Sequence, residues 1–176
     1  MTTLDEAWDR YQYTRQLVGL TGRIASRYWN QLPWDGPLGR DDQLKELDHH
    51  SLTDRAASSL AYLDDLAVLV LFSMFESEIR ELMLAQVHPE AEKLTHPALI
   101  SAAKVAIENI RSGSFYRILE PFKSPETINL IEHVNQVRRY RNWVAHGKRE
   151  KAPANVSPQD AYDRLKRLLE LLSRPS

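Results

Sequence analysis

The chain has 176 residues, a length that fits one domain, residues 1–176, with a hydrophobic core of its own. Its residues are 43% hydrophobic and 27% charged, a composition typical of folded proteins, so intrinsic disorder is not expected. The absence of cysteine excludes a disulfide framework and a thiolate metal site. A net charge of −1 argues against general coating of nucleic acid.

The same features bear on cellular location. A chain without cysteine is typical of a reducing cytoplasm, and the first residues are acidic where a signal peptide would be basic. The longest apolar run, residues 66–75, has half of the roughly 20 residues needed to span a bilayer. We therefore expect a cytoplasmic protein without membrane contact, in which this run is a buried helix.

Two helices are predicted in the first half of the chain. Thr3 and Glu6 form a capping box for a first helix that ends before Pro33, and a Pro/Gly-rich loop follows over residues 33–39. Ser51 is the expected N-cap of a second helix that runs to residue 87, with Pro89 beyond its end. Residues 66–72 are apolar on every face, so neighbours are expected all around them.

Three more helices follow. The third begins near Pro97 and ends at residues 112–113. The fourth has Ser124 as N-cap and runs to His146, where Gly147 stops it. After a polar, exposed linker over residues 148–156, Ser157 caps the fifth. No segment alternates with period two, so the predicted fold is all-α, an antiparallel bundle of about five helices with no substantial sheet.

Basic residues concentrate at the end of the fourth helix. Residues 138–151 contain six basic side chains and one acidic one. The segment therefore carries about +5, which leaves about −6 for the remainder of a chain whose net charge is −1. A local basic patch on a neutral body favours a specific phosphate site.

Three side chains in this segment could carry chemistry. Asn142 and His146 are four residues apart and share one helix face, which Arg138 extends by a turn. Arg141 lies roughly 140° around the axis from His146, so it reaches the imidazole only through a long side chain or a distorted last turn. Histidine can act as a general acid or base near neutral pH, and arginine binds phosphate oxygens through a planar fork.

An arginine, a polar residue, three further positions and a histidine near a helix end resemble the signature of the HEPN superfamily, whose members are small all-helical domains. Many of them are metal-independent ribonucleases. The resemblance implies a HEPN-like fold and a catalytic role for Arg141, Asn142 and His146. The implied reaction is attack of the ribose 2′-hydroxyl on the phosphodiester, which leaves 2′,3′-cyclic phosphate and 5′-hydroxyl ends.

The resemblance also implies partners. HEPN protomers commonly pair so that two motifs face one cleft, which predicts a homodimer that acts on single-stranded RNA as a toxin or antiviral defence effector. An antitoxin or defence-complex partner is possible, although Lys148 stands where some HEPN toxins carry a modified tyrosine. No metal or cofactor is expected. The residues predicted to bind substrate are Arg138, Arg139, Lys148 and Glu76.

Alternatives remain open from the residues alone. Arg139 could face the phosphate, although Arg141 is preferred because Asn142 follows it. The basic helix end could instead bind RNA, a nucleotide or an acidic protein without catalysis, or Arg141 could pair with a carboxylate in a structural dimer. Adjacent His49 and His50 are expected to point apart on a helix and not to form a metal site. Three other histidines are expected at surface or capping positions, namely His88, His96 and His133, and Trp143 is a candidate to line the cleft.

Overall fold

The computed structural model describes residues 2–149 and 151–173. Within these ranges the protein is all-α, and no strand is formed. The predicted fold class is therefore confirmed. The α-helices are α1 (Leu4–Arg23), α2 (Asp42–Lys45), α3 (His49–Glu92), α4 (Pro97–Ser112), α5 (Phe115–Leu119), α6 (Ile128–Ala145) and α7 (Pro158–Leu172).

The five predicted helices correspond to α1, α3, α4, α6 and α7, and two short helices add to them. Helical turns also continue α1, first as a π-helical segment at Ile24–Tyr28 and then as a 3₁₀ turn at Trp29–Gln31. The predicted loop over residues 33–39 contains the start of a further 3₁₀ turn, Pro37–Arg40.

The predicted caps of α1 and α7 are confirmed. Thr3 and Glu6 each accept the other's backbone N–H at 3.2 Å, which is the reciprocal capping box. Ser157 accepts the backbone N–H of Asp160 at 3.1 Å and donates to its carboxylate at 2.6 Å. These bonds satisfy donors that a helix start otherwise leaves unpaired, and they fix the first turns of α1 and α7.

The predicted ends of α3 were wrong. Asp48, not Ser51, caps it, because the Asp48 carboxylate accepts the backbone N–H groups of His50 and Ser51 at 2.9 Å. The Ser51 hydroxyl also donates to this carboxylate at 2.5 Å, and that bond, followed by the backbone bonds, lowers the pKa of Asp48 to about 2. Pro89 lies inside the last turn. Near a helix end proline removes one backbone bond, and the carbonyl freed by it, that of Ala85, belongs to an exposed residue that water can reach.

Ser124 caps the chain as predicted, because its Oγ accepts the backbone N–H groups of Glu126 and Thr127 at 3.3 Å, but the regular helix α6 starts about one turn later than predicted. Ser124 is followed by a turn, and α6 begins at Ile128 with Thr127 as its N-cap residue. The Thr127 hydroxyl accepts the Ser124 N–H at 2.8 Å and donates to the Phe122 carbonyl at 2.5 Å. These bonds hold a turn over residues 125–127 that leads into the helix, since the Ile128 N–H already donates to the Ser124 carbonyl at 2.9 Å.

The chain divides into two compact units, residues 1–7 with 68–176, and residues 8–67. The single-domain organisation stays a prediction. The core of the first unit contains an aromatic cluster, in which Phe115 meets Phe72 and Phe75 edge-on at 5.5 and 5.6 Å between ring centroids. In the second unit Asp64 accepts hydrogen bonds from Tyr11 at 2.7 Å and Arg15 at 3.1 Å.

The apolar middle of α3 is only partly surrounded. Four of its residues are buried, namely Ala67, Val68, Leu71 and Phe72. Val70 is 46% exposed, so the prediction of neighbours on every face was wrong. Among the described helices, α3 alone is long and apolar enough to cross a membrane, a criterion that core helices of soluble proteins also meet.

One cross-link ties the start of α1 to α7 and gives a pH-dependent prediction. Asp5 accepts bonds from Lys166 at 2.6 Å and Tyr162 at 2.9 Å, and these, chiefly that from Lys166, lower the pKa of Asp5. Because the folded-state pKa lies below the unfolded value, the stabilisation is complete above about pH 4 and is lost as pH falls through the folded value.

Asp5→Asn is therefore expected to lower the free energy of unfolding by at most about 1 kcal/mol at pH 7, since the pair is exposed. Near pH 2 the difference from wild type should shrink. Urea denaturation at both pH values measures it, and Lys166→Gln serves as the partner in a double-mutant cycle. Equal losses of stability at the two pH values would contradict the assignment.

Candidate functional site

The C-terminus of α6 is closed by a Schellman motif. Lys148 N–H donates to the Trp143 carbonyl and Gly147 N–H to the Val144 carbonyl, both at 2.9 Å. Gly147 has φ +74° and Lys148 has φ +57°. The left-handed conformation explains why glycine follows the helix. It also turns the chain sharply after His146, the C-cap residue.

A pocket of about 570 Å³ lies beside this helix end. From α6 it is lined by Arg139, Asn142, Trp143 and His146, which follow at i, i+3, i+4 and i+7 and so share one helix face. The segment after the turn completes it with Arg149, Lys151 and Pro153. His146 is exposed while Asn142 and Trp143 are half-buried, so the imidazole lies at the solvent side.

The described residues that line the pocket include three cations. Arg139, Arg149 and Lys151 are exposed and contribute three positive charges. Arg139 forms an ion pair with Glu132, in which both side chains are about half exposed. Exposed pairs of this kind contribute 0 to about 1 kcal/mol, so a phosphate oxygen can replace the Glu132 carboxylate at little cost.

Arg141 is not among the described residues that line this pocket. Its guanidinium carbon lies 5.8 Å from the centroid of the Phe72 ring on α3. Its Nε is buried without a hydrogen-bond partner within the described part of the chain. Arg141 and His146 are about 140° apart around the helix axis, and the Arg141 side chain does not reach back to the pocket.

Arg141 still influences the pocket through Asn142. Arg141 Nη1 donates to Asn142 Oδ1 at 3.1 Å. A guanidinium has donors only, so the amide must present its oxygen to Arg141. The Asn142 Nδ2 group is then left as a donor for an anion in the pocket. In this arrangement Arg141 positions Asn142.

Three other predicted site residues lie outside the pocket. The Arg138 guanidinium packs 5.4 Å from the Tyr116 ring centroid, and Lys148 Nζ lies 5.0 Å from that of Trp143. Glu76 accepts from Arg80 Nη2 at 2.5 Å. Arg80 also donates to the backbone carbonyls of Ile110 and Gly113, so Glu76 belongs to a brace at the end of α4.

The remaining histidines are placed as follows. His96 is the N-cap of α4, where its Nδ1 accepts the Ala98 N–H at 3.3 Å, which confirms a capping role. His133 is exposed on α6 and His88 is half-buried on α3. His49 and His50 stack with centroids 3.9 Å apart, so the expectation that they point apart was wrong. In residues 2–149 and 151–173 no cluster of His, Cys, Asp or Glu is arranged to hold a metal.

The pocket contains residues that the motif did not single out. Arg149 and Lys151 entered the prediction only as charges of the basic segment, and Pro153 not at all. The linker was predicted to be polar and exposed through residue 156, but Val156 is buried at 2% exposure. That anchor holds the far end of the segment against the protein. Glu150, counted in the basic segment, lies outside the described residues.

The chain was compared with protein-family models, curated proteins and solved structures. No protein-family model, curated protein or solved structure matches the chain. The resemblance to HEPN proteins therefore stays a prediction, and the geometry of the pocket must carry the functional proposal.

Proposed function

We propose that the chain is a metal-independent endoribonuclease of HEPN type that cleaves single-stranded RNA in the pocket at the end of α6. The observation that supports it most is that His146, Asn142 and Arg139 line one pocket together with Arg149 and Lys151. An imidazole provides proton transfer near neutral pH. The cations and the amide can bind a phosphodiester and stabilise the charge that develops on it.

The proposed reaction is an internal transesterification. His146 takes the proton of the ribose 2′-hydroxyl as the 2′-oxygen attacks phosphorus. The P–O5′ bond breaks, and a general acid protonates the departing 5′-oxygen. One product ends in a 2′,3′-cyclic phosphate and the other in a 5′-hydroxyl, with no net gain or loss of atoms.

Within this proposal the phosphate-binding arginine is Arg139. It lies one heptad before His146 and so on the same face, and it lines the pocket. Arg141 acts indirectly, because its bond to Asn142 Oδ1 orients that amide. In this assignment Arg139 binds the phosphate and Arg141 is a positioning residue.

The pocket of one chain contains one imidazole, whereas the reaction needs a base and an acid. A homodimer that brings two pockets to one cleft would supply the second imidazole. We propose this assembly, a cytoplasmic location and a role as a toxin or defence effector, all by resemblance to HEPN proteins. An antitoxin or defence-complex partner would control the activity.

The test is incubation of the purified protein with single-stranded RNA in excess chelator. Cleavage is expected, with 2′,3′-cyclic phosphate ends identified by mass spectrometry. A matched RNA with one 2′-deoxyribose at the cleaved position should bind and stay intact there, because it lacks the nucleophile. Cleavage at that deoxy position would contradict the proposed mechanism.

A second candidate is a non-catalytic module that binds RNA at the same pocket. The observation that favours it is the position of Arg141, whose guanidinium packs on Phe72 and does not reach the pocket. Under this alternative, RNA binding would be saturable and salt-sensitive, and no cleavage would occur at any protein concentration.

A further inference from the structure

A second basic and aromatic surface lies near the pocket, the Tyr116 cluster, which consists of Tyr116, Lys123 and Arg138. The Tyr116 ring is 42% exposed. Lys123 Nζ lies 5.1 Å and Arg138 Cζ 5.4 Å from its centroid. Both distances are in the range of cation–π attraction, so both cations border the same ring.

Both cations keep donors for an anion. Arg138 Nε donates to the Oδ1 of buried Asn135 at 3.3 Å, and no other hydrogen bond engages the guanidinium within the described residues. Its Nη groups are therefore available. Lys123 Nζ donates to Glu120 at 2.6 Å in an exposed pair, and an ammonium has three donors. Two cations against one carboxylate leave the cluster net positive.

Its position relative to the pocket follows from the helix. Arg138 lies four residues before Asn142 on α6, which is about 6 Å along the axis and about 40° around it. Asn142 lines the pocket. A strand whose phosphate is bound at Asn142 and that runs toward the start of α6 would meet Arg138 next.

We infer that the Tyr116 cluster is a second phosphate subsite for single-stranded RNA, which binds the nucleotide next to the one that is cleaved. This inference rests on the proposed function. Lys123 and Arg138 contact the phosphate, and Tyr116 holds the two cations in place. The subsite selects RNA of more than two nucleotides over a dinucleotide.

The test compares binding of a 12-nucleotide single-stranded RNA to wild type, Lys123→Gln, Arg138→Gln and Tyr116→Leu by fluorescence anisotropy at several salt concentrations. The slope of log K against log salt is expected to fall in magnitude by about 0.7 for each phosphate group that a variant no longer neutralises. Lys93→Gln is the matched control, because Lys93 forms the same i,i+3 pair with Glu90 at 2.6 Å but is not part of the cluster.

Cleavage kinetics separate this inference from the proposed function. The variants should raise KM for the 12-nucleotide RNA more than KM for a dinucleotide, with little change in kcat. Unchanged slope and KM in both cationic variants, with wild type still cleaving, would overturn the subsite alone. If wild type binds RNA but does not cleave it, the nuclease proposal fails, while the salt slopes still decide the subsite.

Discussion

His146→Ala is expected to lower kcat for RNA cleavage by about 10²- to 10⁴-fold, the usual contribution of a general acid or base. The imidazole lines the pocket and is exposed, so its removal leaves no buried cavity. Stability should change by less than about 1 kcal/mol, the scale of a histidine interacting with a helix C-terminus. Single-turnover cleavage and urea denaturation measure the two quantities.

His133→Ala is the matched control. His133 is also exposed on α6, but it does not line the pocket. Its replacement should leave kcat within a factor of about 2, as expected for a surface position with no role in the chemistry. A His146→Ala protein that cleaves at the wild-type rate would remove the imidazole from the mechanism.

Arg139→Gln is expected to impair mainly catalysis, whereas Arg141→Gln is expected to impair both stability and catalysis. Arg139→Gln removes the cation that is proposed to bind the phosphate, so kcat/KM should fall by about 10²-fold or more, while stability changes by less than about 1 kcal/mol. Arg141→Gln removes the interactions with Phe72 and Asn142. It should lower the free energy of unfolding by about 1–3 kcal/mol and reduce kcat more than it raises KM.

Both variants are compared with Arg111→Gln, which alters an exposed arginine of α4 outside the pocket. Thermal denaturation and steady-state kinetics on one RNA are sufficient. If Arg141→Gln weakens RNA binding and Arg139→Gln does not, then the roles given to the two arginines must be exchanged.

Helical periodicity carried the prediction of the fold and part of the site. Capping residues and the missing period-two alternation predicted an all-α chain, which the structure confirms. The same periodicity predicted that Asn142 and His146 share a face, and both line the pocket, but the prediction extended that face to Arg138, which lies outside the pocket, and not to Arg139. The motif spacing favoured Arg141 instead, and the structure keeps Arg141 against Phe72.

Other parts of the site depend on residues distant in sequence. Arg149 and Lys151 line the pocket because the Schellman turn and buried Val156 fold the linker back. The local sequence pattern does not predict the path that such a linker takes across the protein surface. Glu76 forms a local i,i+4 ion pair with Arg80, a spacing that already favours a structural role, whereas the bond of Arg80 to the Ile110 carbonyl, 30 residues away, cannot be inferred from local sequence. Val70 is exposed although its run is apolar on every face.

The central claim is that the imidazole of His146 and the cations around it hold a phosphodiester. NMR of the ring carbons of the six histidines, with ¹³C-labelled protein, tests it directly. The ligand is a dinucleotide with 2′-deoxyribose at the cleaved position, which cannot react. The His146 signal, identified by its absence in His146→Ala, is expected to shift on saturation far more than the other five. Saturable binding of the dinucleotide that leaves the His146 signal unchanged would contradict the claim.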